Sequence, residues 1–82
     1  PTFVILKKFQ IQSSKFSNFY HIDCYRINKP KEILEIGFRE IVKNPENIVA
    51  IEWSEKITKV LPKNAVFIKF KFIDKNKREI SF

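Results

Sequence analysis

The sequence predicts an α/β protein in which helices pack on a mixed β-sheet, with the element order β-β-α-β-α-β-β. Three patterns predict this class. β-branched and aromatic runs lie near both ends, a continuous apolar run lies in the middle, and two segments have helical spacing. A chain of 82 residues makes one domain or a piece of one. Its apolar fraction of 44%, with nine phenylalanines, excludes a disordered tail.

The N-terminal half is predicted to contain two strands and a broken helix. The segments "TFVILKKFQI" and "FYHIDCYRI" have strand composition, and the polar segment "QSSKFSN" between them allows a hairpin. A helix is predicted in "NKPKEILEIGFREIVKNP", with Asn28 or a neighbour as its cap, Pro30 in its first turn and Asn44-Pro45 at its end. Inside a helix, glycine is less favourable than alanine by about 1 kcal/mol. Gly37 therefore predicts that this helical segment is broken into two short helices.

The C-terminal half is predicted to contain a buried strand, a short helix and a hairpin. The continuous apolar run "IVAIEW" is typical of a strand that is buried on both faces. The segment "SEKITKVLP" has helical spacing and ends at Pro62. The alternating segment "AVFIKFKFI", the turn "DKNK" and the segment "REISF" together predict a β-hairpin.

Several function classes are excluded by composition. A single glycine cannot form a glycine-rich phosphate loop within these residues. One histidine and one cysteine cannot form a zinc site with the usual spacing, and no nucleophile elbow is present. The single Cys24 predicts a reduced, cytoplasmic setting and cannot form an internal disulfide. No apolar run approaches the ~20 residues needed to span a bilayer, so no membrane association is expected.

The basic composition supports a binding function as an alternative. The formal net charge is +7, and nearly all of the basic residues are lysines. Arginine, which usually makes bidentate contacts to bases and phosphates, is rare. On this interpretation the chain is a small basic module without nucleotide chemistry, which binds RNA or an acidic protein surface through Lys7, Lys8, Lys69 and Lys71.

Two acidic residues lie at predicted strand ends, Asp23 and Glu52. Ligands of open α/β sheets bind beyond the carboxyl ends of strands. Two carboxylates at one edge could hold Mg²⁺ through water and position an attacking water, beside the flat face of Trp53. The structural alternative is that Asp23 pairs with Arg26 or a lysine, that Glu52 caps the helix starting near Ser54, and that Trp53 belongs to the core.

Four segments resemble one family in order and spacing. They are "PTF" at the start, "YHIDCYR" at 20–26, "EILEIGFRE" at 32–40 and "IEWSE" at 51–55. They resemble the TsaE family, P-loop ATPases of bacterial tRNA threonylcarbamoyladenosine (t6A) biosynthesis. The family pattern is Ser-Pro-Thr-aromatic, then His-x-Asp-x-Tyr-Arg, then a Glu-rich helix containing glycine, then Glu-Trp. The resemblance covers practically the whole chain.

The resemblance implies an incomplete P-loop NTPase-like fold. The family's Walker A loop lies upstream of Ser-Pro-Thr, so residues 1–82 are expected to be the C-terminal part of a single TsaE-like ATPase domain. Without that loop we expect no appreciable ATPase activity from these residues alone. We also expect an exposed apolar sheet surface or an unpaired strand edge beside "YHIDCYR" or "IVAIEW".

The resemblance also assigns roles to individual residues. Asp23 and Glu52 are the implied catalytic residues, and Glu52 either orients the attacking water or supports the metal. The implied metal ligands are Asp23, Thr2 and Glu52. The implied nucleotide-binding residues are Thr2, Trp53, His21 and Arg26. For the complete protein the resemblance implies ATP and Mg²⁺ as cofactors, the TsaB and TsaD proteins as partners, and proximity to tRNA.

Overall fold

The computed structural model describes residues 4–81, and its elements follow the predicted order. The N-terminal half contains β1 (Ile5–Gln10), β2 (Asn18–Asp23), a first 3₁₀ helix (Pro30–Ile36) and α1 (Phe38–Lys43). The C-terminal half contains β3 (Asn47–Glu52), a second 3₁₀ helix (Ser54–Val60), β4 (Lys69–Asp74) and β5 (Lys77–Ser81). No helix within residues 4–81 is long and apolar enough to cross a membrane.

Strands β1, β2 and β3 form a mixed sheet with β2 in the middle. β1 runs antiparallel to β2, as expected for a hairpin, and β3 runs parallel to β2. The predicted mixed sheet is therefore confirmed for these strands. The C-terminal hairpin β4–β5 is also confirmed, but it forms a separate two-stranded sheet.

Within residues 4–81, helices cover one face of the three-stranded sheet and leave the other uncovered. Ile22 of β2 is fully buried against Ile33, Phe38 and Ile57, which come from the three helical segments. Side chains alternate between the two faces of a strand. The opposite face, called here the uncovered face, carries exposed apolar side chains from both edge strands: Ile5, Phe9 and Ile48.

Two predicted strands differ from the observed ones. The prediction that "IVAIEW" is buried on both faces was wrong, since Ile48 is 38% exposed on the uncovered face. β3 is an edge strand within the described chain, which explains this exposure. β2 ends at Asp23, earlier than predicted, because the chain then turns and the Ile27 N–H donates to the Cys24 carbonyl at 3.1 Å.

The predicted break at Gly37 is confirmed. Gly37 has a left-handed backbone with φ of +81°, and its N–H donates to the Leu34 carbonyl at 3.3 Å. The first 3₁₀ helix ends there and α1 begins at the next residue. Pro30 occupies the first turn as predicted, while the cap is Lys29, whose side chain makes no capping hydrogen bond.

Replacing Gly37 tests the backbone requirement separately from packing. An added Cβ would meet only Glu40 Oε1, at 3.9 Å, so the cost of Gly37→Ala is conformational. We expect a loss of about 1 kcal/mol in the free energy of unfolding, measured in urea by circular dichroism. Gly37→Asn should cost less, since asparagine adopts the left-handed region more readily. Equal stability of the alanine and wild-type proteins would contradict this assignment.

Cys24 is fully buried in the core. Burial, and secondarily the negative charge of Asp23, raise the pKa of its thiol from 9.0 to about 11. The thiol is therefore neutral at physiological pH, and a neutral buried thiol is a poor nucleophile.

The raised pKa of Cys24 makes stability depend on pH. The unfolded thiol ionises near its ordinary pKa of 9.0, whereas the folded thiol stays protonated up to about pH 11. Its contribution to stability is present below pH 9 and is lost as pH rises toward 11. In urea titrations across this range, the free energy of unfolding should fall more steeply for the wild type than for Cys24→Ala. Parallel curves for the two proteins would show that the thiol does not contribute.

Candidate functional site

Asp23 and Glu52 lie side by side at one rim of the sheet. They are the last residues of β2 and β3, and the parallel register pairs them directly. The Cys24 N–H donates to the Glu52 carbonyl at 3.0 Å, which extends this pairing by one residue. Because paired residues of neighbouring strands point to the same face, both carboxylates leave the sheet on its uncovered face. The structure thus has the shared rim that the strand-end positions predicted.

Asp23 interacts with the turn that follows β2. Its Oδ1 accepts a hydrogen bond from the Tyr25 N–H at 2.9 Å. Within residues 4–81, its Oδ2 has no hydrogen-bond partner. The predicted alternative, an ion pair with Arg26 or a lysine, was wrong, since within residues 4–81 no arginine or lysine nitrogen lies within ion-pair distance of the Asp23 carboxylate. Arg26 is exposed in the turn and does not contact the carboxylate through an ion pair.

The carboxylate of Glu52 contacts His21, with His21 Nε2 lying 3.4 Å from Glu52 Oε2. His21 lies two residues before Asp23 on β2, and therefore on the same uncovered face. Glu52 does not cap the second 3₁₀ helix, because Trp53 is the cap residue and no side-chain capping bond forms. The structural alternative for Glu52 was therefore also wrong.

Trp53 is 49% exposed and does not belong to the core. Its backbone is left-handed with φ of +61°, the only such non-glycine residue in the described chain. A conformation of this kind costs of order 1–3 kcal/mol and is concentrated at functional sites. The indole contacts Tyr25, with ring centroids 5.0 Å apart and planes inclined by 58°. The contact between Tyr25 and Trp53 was not predicted from the sequence.

The carboxylates suit a metal that is completed by water and phosphate. The part of the chain that the structure describes contains no group of three histidine, cysteine or acidic side chains able to hold a metal ion. Mg²⁺ does not require such a group, since it is usually bound through one or two carboxylates plus waters and substrate phosphates. Asp23 and Glu52 supply donors of that kind. Thr2, the third predicted metal ligand, lies outside the described residues.

The lysines proposed as a binding surface are divided between faces. Lys7 and Lys8 are consecutive in β1, so their side chains lie on opposite faces of the sheet. Lys8 Nζ lies 5.8 Å from the ring centroid of Tyr20 on the helix-covered face. Lys69 and Lys71 lie on one face of the C-terminal hairpin. No single basic surface therefore contains all four lysines.

An apolar groove follows the outer edge of β3. It has a volume of about 580 Å³ and lies between β3 and the segment leading into β4. Its lining includes apolar residues from both sides: Val49, Ile51, Leu61, Phe67 and Phe70. β3 pairs only with β2 among the described strands, so its outer edge is open to this groove.

Comparisons with known proteins identify relatives that match nearly the whole of this chain. A sequence model of the family described as "Threonylcarbamoyl adenosine biosynthesis protein TsaE" matches residues 1–80. A protein of Rickettsia typhi named "tRNA threonylcarbamoyladenosine biosynthesis protein TsaE" is 42% identical over 78 residues, which cover 95% of this chain and 51% of the relative.

More distant relatives carry the same name. The protein of Borreliella burgdorferi is 34% identical over 89% of this chain and 52% of its own length. That of Haemophilus influenzae is 31% identical over 90% of this chain and 44% of its own length. The chain therefore spans about half the length of the curated relatives it matches. By the extent of the family match and of these identities, the chain belongs to the TsaE family.

Proposed function

We propose that residues 1–82 form the C-terminal part of a single ATP-hydrolysing domain with a P-loop NTPase-like fold, which acts in tRNA threonylcarbamoyladenosine modification. The relatives are named for the biosynthesis of this modified nucleoside. The observation that carries the proposal is the parallel register that sets Asp23 beside Glu52 on the uncovered face of the sheet. In open α/β folds this rim is where ligands bind.

The exposed apolar surface supports the proposal that further residues complete the domain. The uncovered face carries apolar side chains from both edge strands, and the outer edge of β3 is open to the apolar groove. In the C-terminal hairpin, Phe70 is 70% exposed and shares a face with Phe72 and Ile80. Exposed apolar area of this extent is unusual for a complete small domain. We propose that the half of the relatives' length not matched here corresponds to the polypeptide that covers it.

We propose different chemical roles for the two carboxylates. Mg²⁺, when bound with ATP, neutralises negative charge on the phosphate oxygens. Asp23 would hold the metal through water with Oδ2, because Oδ1 is engaged by the Tyr25 N–H. Glu52 would orient the attacking water or support the metal. The contact of His21 Nε2 with Glu52 Oε2 would limit the rotation of the Glu52 carboxylate.

The remaining predicted residues would contact the nucleotide. Trp53 offers a half-exposed indole beside the carboxylates, and aromatic faces stack on nucleobases. Arg26 extends from the turn after β2, and a guanidinium suits phosphate oxygens. Thr2 is proposed to face the γ-phosphate and the metal. In the complete protein, ATP hydrolysis would drive conformational cycling with TsaB and TsaD, near tRNA and in the cytoplasm.

Activity of the natural polypeptide that carries these residues tests the assignment of the carboxylates. Asp23→Asn and Glu52→Gln should each lower kcat for ATP hydrolysis by about a hundredfold or more, because each removes a group that acts on the reacting phosphate or water. Glu40→Gln is a matched control, since Glu40 is an exposed carboxylate in α1, which packs on the face of the sheet opposite to the two carboxylates. It should retain activity within about twofold, as surface changes usually do. Full activity of Asp23→Asn would refute the assignment. ATP hydrolysis by the 82 residues alone, if Asp23→Ala abolished it, would instead overturn the expectation that these residues are inactive without the rest of the domain.

The exposed apolar surface predicts self-association of the isolated 82-residue chain. Its mass in sedimentation equilibrium should rise with concentration, because unpaired edges and apolar faces associate in water. Ile48→Lys places a charge on the uncovered face of β3 and should reduce the association, whereas Gln12→Lys adds the same charge in an exposed connecting loop and should not. A monomer at all concentrations, with several kcal/mol of stability, would contradict this prediction.

A further inference from the structure

An aromatic pair stands at the rim beside the two carboxylates. Tyr25 is 55% exposed and Trp53 is 49% exposed, yet their rings contact each other in a tilted arrangement with centroids 5.0 Å apart. Tilted aromatic pairs at this distance attract each other beyond the effect of buried area. The two residues come from different strand ends, since Tyr25 follows β2 and Trp53 follows β3.

The backbone of Tyr25 is held on both sides. Its N–H donates to Asp23 Oδ1 at 2.9 Å, and its carbonyl accepts a hydrogen bond from Lys56 Nζ. The same ammonium group lies 5.3 Å from the centroid of the Tyr25 ring, within the range of cation–π attraction. These contacts restrict the direction in which the Tyr25 ring can point.

Lys56 joins the two aromatic residues. Its backbone N–H donates to the Trp53 carbonyl at 3.1 Å, while its side chain binds the Tyr25 carbonyl and ring. The first of these bonds spans the start of the second 3₁₀ helix, where Trp53 has its left-handed backbone. Lys56 therefore links the turn after β2 to the turn after β3.

We propose that Tyr25 and Lys56 are positioning residues that hold the Trp53 indole in one orientation, ready to stack on the purine of a nucleoside triphosphate. The stacking step depends on the proposed function, whereas the holding of the indole does not. A side chain that is already ordered loses less entropy when a ligand binds, and this gain in affinity is the advantage of the arrangement. Because Asp23 Oδ1 binds the Tyr25 N–H, the same turn also connects the aromatic pair to a carboxylate of the rim.

The orientation of Trp53 can be measured without nucleotide. The natural polypeptide is labelled with 5-fluorotryptophan, and the ¹⁹F signal of Trp53 is assigned through Trp53→Phe. In Tyr25→Leu and in Lys56→Gln the signal should narrow and move toward its position in the unfolded protein, because the indole gains rotational freedom. Tyr25→Phe keeps the ring and should keep the wild-type line width.

A neighbouring lysine provides the matched control. Lys59 is an exposed lysine three residues further along the chain, beyond a kink at Ile57, and within residues 4–81 its ammonium makes no hydrogen bond or cation–π contact with Tyr25. Lys59→Gln should leave the Trp53 signal unchanged, although it removes the same charge as Lys56→Gln.

Nucleotide affinity gives the second measurement. By isothermal titration calorimetry, Tyr25→Leu and Lys56→Gln should weaken ATP binding about two- to tenfold, the range expected when one ordered side chain becomes free. KM should rise in parallel while kcat stays close to the wild-type value, because the positioning acts on binding. Tyr25→Phe and Lys59→Gln should bind ATP as the wild type does.

The outcomes separate this inference from the proposed function. An unchanged ¹⁹F signal of Trp53 in a folded Tyr25→Leu protein overturns the inference. If Tyr25→Leu does not fold, an unchanged Trp53 signal in Lys56→Gln overturns it instead. A freed indole with unchanged ATP affinity overturns the stacking role. A wild-type protein that holds its indole but binds no ATP overturns the proposed function, and with it the stacking role, while the positioning of Trp53 by Tyr25 and Lys56 stands.

Discussion

The parallel pairing of β2 with β3 is the constraint on which the site depends. Ile22 and Ile51 are paired in this register, and both pack on the side of the helical core. Their neighbours along the strands, Asp23 and Glu52, must then point to the other face. A shift of one residue would place a carboxylate in the core and an isoleucine at the rim, and burial of a charge prevents this. The apolar core thus determines where the carboxylates lie.

The same one-sided packing connects the fold to the proposed function. The helical segments bury one face of the sheet, and six buried apolar residues form the core: Ile22, Cys24, Ile27, Ile33, Phe38 and Ile57. A core of this size is small even for a short chain. The face that carries His21 and the carboxylates has no such cover among the described residues. An uncovered apolar face around polar groups is consistent with a site that lies between these strands and further polypeptide of the same domain.

Element order and local backbone could be predicted from the sequence because they depend on nearby residues. Gly37 interrupts a helical pattern, and only a residue without Cβ adopts its left-handed conformation at low cost, so the break was predictable. The exposure of Ile48 was not predictable, because a continuous apolar run does not distinguish an edge strand from a central one.

Side-chain partners at the site were harder to predict than the positions of the site residues. The strand-end locations of Asp23 and Glu52 followed from the pattern of apolar runs. The contact of His21 with Glu52 and that of Tyr25 with Trp53 depend on the register between two strands that are distant in sequence. No local pattern specifies that register. One sequence pattern does bear on the aromatic contact, because an aromatic residue follows each carboxylate within two positions. This pattern predicts a contact between the two rings only when the strands are known to be parallel and adjacent.

Metal-directed cleavage of the backbone tests the shared rim most directly. Fe²⁺ bound in place of Mg²⁺ with ATP, in the presence of ascorbate and peroxide, generates radicals that cut the polypeptide next to the metal. In the natural polypeptide, cuts should occur at both strand ends, next to Asp23 and next to Glu52, and excess Mg²⁺ should suppress both together. Cleavage at one of these positions without the other, or at neither while ATP and metal are bound, would contradict the account.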